Sequence, residues 1–292
     1  MKLPPLGTHV SIAGGVDKAP GRGASVGCAA MQIFVKNNNR WEGPPISEAQ
    51  VDGFHRGLQA AGIPIRHVFA HTCYLINLAS TKEDVAAKSE TALEDELRRC
   101  HQLSVPGLVM HPGAHLGEGR EAGLRRIAAA MLRVIDRTPQ VRTRVLFETT
   151  AGTGTNLGGP FEDLGELLAR IDAPERVGVC LDTCHIFAAG YDLRTADAYA
   201  RSLGAFERAV GFQHLHAIHL NDSKHGLGSR KDRHEHIGQG HLGEEPFRLL
   251  LTDPRFAKIP MSLETEKDAD LEDDRRNLAT LYRLAGAEYP PP

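Results

Sequence analysis

The sequence predicts an α/β fold, a single (β/α)8 TIM barrel occupying residues 1–292. Two observations carry that prediction. Short apolar runs rich in β-branched residues alternate with longer helical patterns from end to end, and no long linker or internal repeat interrupts them. The runs are also continuous rather than alternating, as expected for strands buried on both faces of a parallel sheet. A doubly wound open sheet is the competing topology. The regularity of the units and the lack of a dinucleotide fingerprint favour the barrel.

Strands are expected at Gly7–Ser11, Met31–Val35, His67–His71, Gly107–His111, Arg144–Glu148, Val177–Asp182, Ala217–Asn221 and Met261–Thr265. Helices are expected between and after them. Val16–Val26 supplies the first, and Ser47–Ala61 the second, with Ser47 as N-cap and Gly62 as terminator. Thr81–Leu103 begins close to a capping box. Glu121–Arg137, Phe161–Ile171, Thr195–Val210, Glu244–Leu251 and Ala269–Ala285 complete the set, and Tyr289–Pro292 reads as a solvated tail.

Hydrophobic content of 41% and charged content of 24% are ordinary for a soluble globular chain. No apolar run approaches the roughly 18 residues of a membrane span, and Met1–Pro5 has no signal-peptide core, so a cytoplasmic location without a membrane partner is expected. Five cysteines (Cys28, Cys73, Cys100, Cys180, Cys184) without a C-x-x-C pair argue against a disulfide framework or a thiolate metal site. Histidine, with 15 residues, is the outlier. The net charge of −3 does not advertise a nucleic-acid partner, but bound cations would belong in that sum.

The polar residues fall in a pattern. His9, His71, His111, Glu148, Asp182, His219 and Glu264 each stand at or near the C-terminal end of an expected strand, the face on which barrel active sites lie. Buried carboxylates and imidazoles on one rim repel or remain unsatisfied unless cations neutralise them. His185, one turn into a helix begun after Asp182, reaches the same rim. Asp232 and His234 follow in a long loop and, two apart, leave an extended chain on one side. Setting His9 aside as a substrate-side residue, the set is too large for one tetrahedral ion, and two or three metals are expected. Sites of that kind run in-line phosphoryl displacements.

At these residues the chain resembles the endonuclease IV family of apurinic/apyrimidinic endonucleases. The likeness runs through Gly7-Thr-His-Val-Ser-Ile-Ala-Gly-Gly, Lys36-Asn37, His71-Thr-Cys-Tyr-Leu-Ile-Asn-Leu-Ala, His111-Pro-Gly, Phe147-Glu-Thr-Thr-Ala-Gly, Leu181-Asp-Thr-Cys-His-Ile-Phe-Ala-Ala-Gly-Tyr-Asp, the segment His219–Gly240 and Leu263-Glu-Thr. The resemblance implies three zinc ions: one on His71, His111 and Glu148, one sharing Glu148 with Asp182, His219 and Glu264, and one on His185, Asp232 and His234. Histidine with carboxylate also accepts Mn2+ or Fe2+. The implied reaction is hydrolysis of the phosphodiester 5′ to an abasic site in double-stranded DNA, leaving a 3′-hydroxyl and a 5′-deoxyribose phosphate, with Glu148 and Glu264 catalytic. Three doubly charged ions added to the formal charge of −3 give +3, compatible with a DNA ligand.

DNA contacts are expected from His9, Asn37, Arg40, Tyr74, Arg230 and Lys231. Tyr74 matches a tyrosine with which the family enters the DNA. The family's inserting arginine falls on Asn39, which leaves that role to Arg40 or to Tyr74 with Trp41. The Gly-rich Ala151–Gly159 lacks the Lys-Ser/Thr of a phosphate-binding P-loop and reads as a flexible loop near the DNA. His214 and His216 are expected to be structural, Cys73 and Cys184 to be packing residues, and His236 to yield to His234 as a ligand. A monomer without an obligate protein partner is expected. A metal-dependent sugar isomerase on a similar barrel is the alternative, disfavoured by the trio His185, Asp232 and His234.

Overall fold

The computed structural model describes residues 3–290. Its strands are β1 (Leu6–Val10), β2 (Ala30–Phe34), β3 (Val68–His71), β4 (Gly107–Met110), β5 (Arg144–Glu148), β6 (Val177–Asp182), β7 (Leu215–His219), β8 (Asp222–Ser223), β9 (His234–Glu235) and β10 (Met261–Leu263). All but β8 and β9 form one closed parallel barrel, in which β10 pairs with both β7 and β1 to complete the ring. β8 and β9 form a separate antiparallel pair. The expected barrel is the observed one.

The helices are α1 (Ala19–Ala24), α2 (Glu48–Ala61), α3 (Glu83–Gln102), α4 (Arg120–Arg137), α5 (Phe161–Ile171), α6 (Thr183–Ala189), α7 (Ala196–Ala209), α8 (Glu245–Thr252) and α9 (Glu272–Leu284). Their apolar faces, including Phe54, Leu93, Ile127, Leu164, Phe206, Leu250 and Leu278, pack on the outer face of the barrel in one buried cluster. Ser47 caps α2 through a complete capping box with Gln50, and Gly62 ends the helix in the left-handed region, where a residue without Cβ is unstrained.

The barrel interior holds a second, smaller cluster of Phe69, Val109, Leu146, Cys180 and Ala217. These five positions are what place the site. Two residues further along each of the same chain segments stand His71, His111, Glu148, Asp182 and His219. Side chains two apart on a strand leave the same face, so a plug of apolar side chains closes the barrel directly beneath a ring of titratable ones.

Several boundaries differ from expectation. His67 belongs to a short 3-10 turn before β3, and Val16–Lys18 is a 3-10 turn before the short α1. His111 and Glu264 stand one residue past β4 and β10. Strand β7 starts at Leu215, so His216 lies within it, at the end of the barrel away from the site. The capping box at the start of α3 does not form. Lys82 occupies the N-cap without a side-chain bond, while the Ser80 hydroxyl accepts from the Lys82 N–H two residues on and closes a local turn instead. The tail is not solvated at Tyr289, whose hydroxyl donates to the Val26 carbonyl; Pro291 and Pro292 lie outside the described residues. Helix α6 starts directly after Asp182, where a helix carrying His185 was expected, whereas the β8–β9 pair was not expected as an element, being too short to leave a periodic signal.

Candidate metal centre

Glu148, fully buried at the end of β5, is the hub. Its Oε2 lies 3.2 Å from His71 Nε2 and 3.0 Å from His111 Nε2. Its Oε1 lies 2.8 Å from His219 Nδ1 and 3.3 Å from His185 Nδ1. His219 Nδ1 is also 3.2 Å from Glu264 Oε2 and 3.7 Å from Asp182 Oδ2. Beside this pair of clusters, His185 Nε2 is 3.1 Å and His234 Nε2 3.4 Å from Asp232 Oδ1. Among the described residues, potential ligand atoms therefore gather in three close groups of imidazoles and carboxylates, His71 with His111 and Glu148, Glu148 with Asp182, His219 and Glu264, and His185 with Asp232 and His234, and in a fourth that sets Cys184 beside Asp182 and His234.

Local structure explains how each side chain arrives. Asp182 is the N-cap of α6 and accepts from the His185 N–H at 2.8 Å, which ties the end of β6 to the first turn carrying His185. The β8–β9 pair folds the loop after β7 back over the rim and aligns Ser223 with His234, bringing Asp232 and His234 to His185 from above. Asp222 fixes the far end of that loop, accepting from the N–H groups of Gly238, Gly240, Leu242 and Gly243.

The imidazoles are held in defined orientations. Nδ1 of His71 meets the Thr72 carbonyl at 2.8 Å, Nδ1 of His185 the Thr149 carbonyl at 2.8 Å, and Nδ1 of His234 the Glu264 carbonyl at 3.1 Å. A carbonyl accepts only, so each Nδ1 carries the proton and each Nε2 presents a lone pair to its cluster, as metal-binding histidines do. His219 is reversed: its Nε2 bonds the Gln32 side chain at 2.6 Å, and Nδ1 faces the carboxylates.

The electrostatics are those of a cation cage. Burial would raise the Glu148 carboxyl, but His219 and His111 outweigh it and hold Glu148 well below the usual carboxylate range. Glu264 is held low in the same way, burial being outweighed chiefly by His219 and by His9 beside it. Burial pulls His185 down, and the Asp182 and Asp232 carboxylates hold it well above the ordinary histidine value. Ionised carboxylates aimed at imidazole lone pairs repel unless a proton or a metal ion stands between them. The donor set, imidazole nitrogen and carboxylate oxygen, suits zinc and its neighbours.

Other sequence candidates separate cleanly. His9 lines the mouth but belongs to none of the three ligand groups. His236 turns away to the Asn277 side chain at 3.0 Å. Cys184 Sγ comes close to Asp182 and His234, yet burial pushes its thiol up to about 12, so it stays a neutral packing group and weakly donates to the Arg233 carbonyl. Asn37, Arg40, Arg230 and Lys231 are exposed on the rim loops. Tyr74, 64% exposed, stands over Phe34 and His71 at the mouth. Trp41 packs partly buried against the core, and its backbone carbonyl accepts from Lys36 Nζ. The Gly-rich loop is not loose: Leu157 N–H bonds Gly113, His115 N–H bonds Thr155, and Thr153 Oγ1 donates to the Arg230 carbonyl.

The roles of four residues escaped sequence reasoning. Gln32 is a buried amide inside an otherwise apolar strand, and that interruption was the available signal. Asn221 donates to Asp182 Oδ2 at 2.6 Å and accepts from the Glu264 N–H at 2.8 Å, linking two carboxylates of the cage. Lys36 and Glu96, each 1% exposed, pair at 2.8 Å beneath the loop bearing Asn37 and Arg40. Glu96 lies on α3, so nothing near it in sequence announced the pairing.

A closed barrel with clustered histidines and carboxylates at its C-terminal rim defines a metal-centred barrel enzyme. Residues 22–284 match the family model described as xylose isomerase-like TIM barrel. The chain is 51% identical to a probable endonuclease 4 of Chloroflexus aggregans, over 97% of this chain and 98% of that protein. It also resembles the crystal structure of endonuclease IV from Thermus thermophilus, with TM-score 0.85 and 36% identity over 97% of this chain and 99% of the other. A D-tagatose 3-epimerase-like protein, at 17% identity and TM-score 0.73 over 97% and 98% of the two chains, shares the fold alone. The chain belongs to the endonuclease IV family and is a nuclease.

Proposed function

We propose that the protein is a zinc-dependent endonuclease of base-excision repair that hydrolyses the phosphodiester 5′ to an abasic site in double-stranded DNA. The observation that carries this reading is the sharing of Glu148 between two ligand groups with a third group beside them. His71, His111 and Glu148 would hold one ion; Glu148, Asp182, His219 and Glu264 a second; His185, Asp232 and His234 a third. When bound, such ions acidify a water and stabilise the charge that develops on both sides of the phosphorus.

The chain's own residues do the rest. Glu148 spans two groups with its two oxygens and fixes their separation, which sets where a nucleophile can sit relative to a phosphate. Asn221, donating to Asp182, leaves that carboxylate less freedom to rotate. Because neither oxygen of Glu148 is free of imidazole neighbours, it is held ionised as a ligand and is a poor general acid. Tyr74, exposed at the mouth, would enter the duplex at the lesion, and the exposed Asn37, Arg40, Arg230 and Lys231 would meet the DNA backbone. Among the described residues no helix is long and apolar enough to cross a membrane.

Zinc-loaded protein incubated with a duplex carrying one abasic site is expected to give a single nick ending in a 3′-hydroxyl, and none on the intact duplex. No nick would sink the reading. Conversion of an aldose or ketose would replace it with sugar isomerisation.

A further inference from the structure

Buried polar side chains inside barrels are fully partnered when they are structural. Gln32 sits at the centre of β2 with no exposed surface, and its amide makes three contacts. Nε2 bonds Glu264 Oε1 and lies 2.7 Å from His9 Nδ1, while Oε1 lies 2.6 Å from His219 Nε2. The direction of the amide follows from Glu264. A carboxylate only accepts, so the neighbouring Gln32 atom must be the NH2 group. Once that is fixed, both histidines are fixed as well. An amide nitrogen cannot accept, so His9 Nδ1 carries a lone pair and His9 Nε2 the proton. An amide oxygen cannot donate, so His219 Nε2 carries the proton and Nδ1 the lone pair.

We infer that Gln32 is a positioning residue that sets the tautomers of His219 and His9 together, aiming a lone pair of His219 at the central ligand group and leaving the His9 Nε2–H as a donor for a phosphate oxygen of the substrate. Three observations converge on it. His219 is the one imidazole of the ligand groups that turns Nδ1 inward toward Glu148 and Glu264 while its Nε2 is held by a side chain. His9 Nε2 is buried and has no hydrogen-bond partner among the described residues. The His9 ring, tilted over Phe34 at 4.4 Å, lines both the mouth above the ligand groups and an adjoining cavity of 680 Å³. Glu264 cannot itself orient His9, because its Oε1 is 3.6 Å from Nδ1, beyond a hydrogen bond. Gln32 stands between them.

The inference rests on the proposed phosphodiesterase reading for the nature of the ligand at His9, and its test does not depend on turnover. Proton-detected nitrogen spectra of histidine-labelled, zinc-loaded protein report which ring nitrogen carries the proton. Nε2–H on both His9 and His219 is expected, and Nδ1–H on His9 would overturn the assignment without any variant having to fold. In Gln32→Met, of similar size but unable to bond, zinc retained after dialysis against a mild chelator should fall by one ion per chain. Its Kd for a duplex with an uncleavable abasic analogue should rise about tenfold, the scale of one lost hydrogen bond to a charged group. His9→Phe should raise that Kd by a similar factor with zinc content unchanged. The double variant should bind DNA less weakly than the product of the two effects, because Gln32 reaches the DNA through His9. Wild-type zinc content and Kd in Gln32→Met would refute the role. Failure of the wild type to nick abasic DNA would instead remove the phosphodiesterase reading and leave the tautomer assignment standing.

Discussion

His219 Nδ1 lies 2.8 Å from Glu148 Oε1, with the opposite ring nitrogen held by Gln32. The contact joins β7 to β5 across the barrel mouth, between two residues 71 apart in sequence. With Glu148 also reaching His71 and His111 through its other oxygen, one carboxylate couples two ligand groups.

Glu148→Gln should therefore damage both groups at once. Replacing one oxygen by an NH2 aims a donor at imidazole nitrogens and removes the shared charge. Cleavage of abasic duplex is expected to fall by roughly a thousandfold or more, the several kcal/mol that a bound metal supplies. Glu264→Gln should be nearly as severe. Steady-state rates within tenfold of wild type in either variant would rule out the shared pair.

The third group should be separable. His234→Ala removes one ligand that lies on β9, outside the barrel, whereas His71, His111 and Glu148 stay in place. Elemental analysis is expected to show one fewer ion per chain and a lower kcat, with far-ultraviolet circular dichroism unchanged. Loss of all bound metal would show that the groups do not act separately.

The loop carrying Asn37 and Arg40 depends on a buried charge. Lys36 Nζ pairs with Glu96 and donates to the carbonyls of Arg40 and Trp41, each at 3.0 Å. Glu96→Gln leaves the ammonium buried without its counter-ion, a change that costs about 3–5 kcal/mol. A urea midpoint lowered to match, together with weaker binding of abasic duplex, is the expected result. An unchanged midpoint would mean that the ion pair is dispensable.

At the opposite end of the barrel, His216 gives a pH signature unconnected with the metal groups. Burial, helped by Arg144 and His214, lowers its pKa to about 4 from an ordinary value of 6.5. The unfolded chain therefore binds a proton that the folded chain refuses, and stability drops as pH falls from about 6.5 toward 4. In metal-free protein, His216→Gln should narrow the difference between melting temperatures at pH 7 and pH 4.5. An equal difference in the two proteins would show that His216 does not titrate as described.

The barrel and most members of its ligand groups were legible in the sequence because each depends on short-range pattern. Continuous apolar runs mark strands covered on both faces, and a polar residue ending such a run marks the rim. His71, Glu148, Asp182 and His219 announce themselves that way. Asp232 and His234 were legible as a pair because two residues in an extended segment share a face. What the sequence could not decide was which atoms meet. The inverted ring of His219, the amide of Gln32 between two histidines and a carboxylate, and the Lys36–Glu96 pair all join positions far apart along the chain, and their geometry exists only after the barrel closes. Local pattern determined which residues reach the rim; closure of β10 onto β1, which sets the angle at which every strand delivers its last side chain, decided how they are joined.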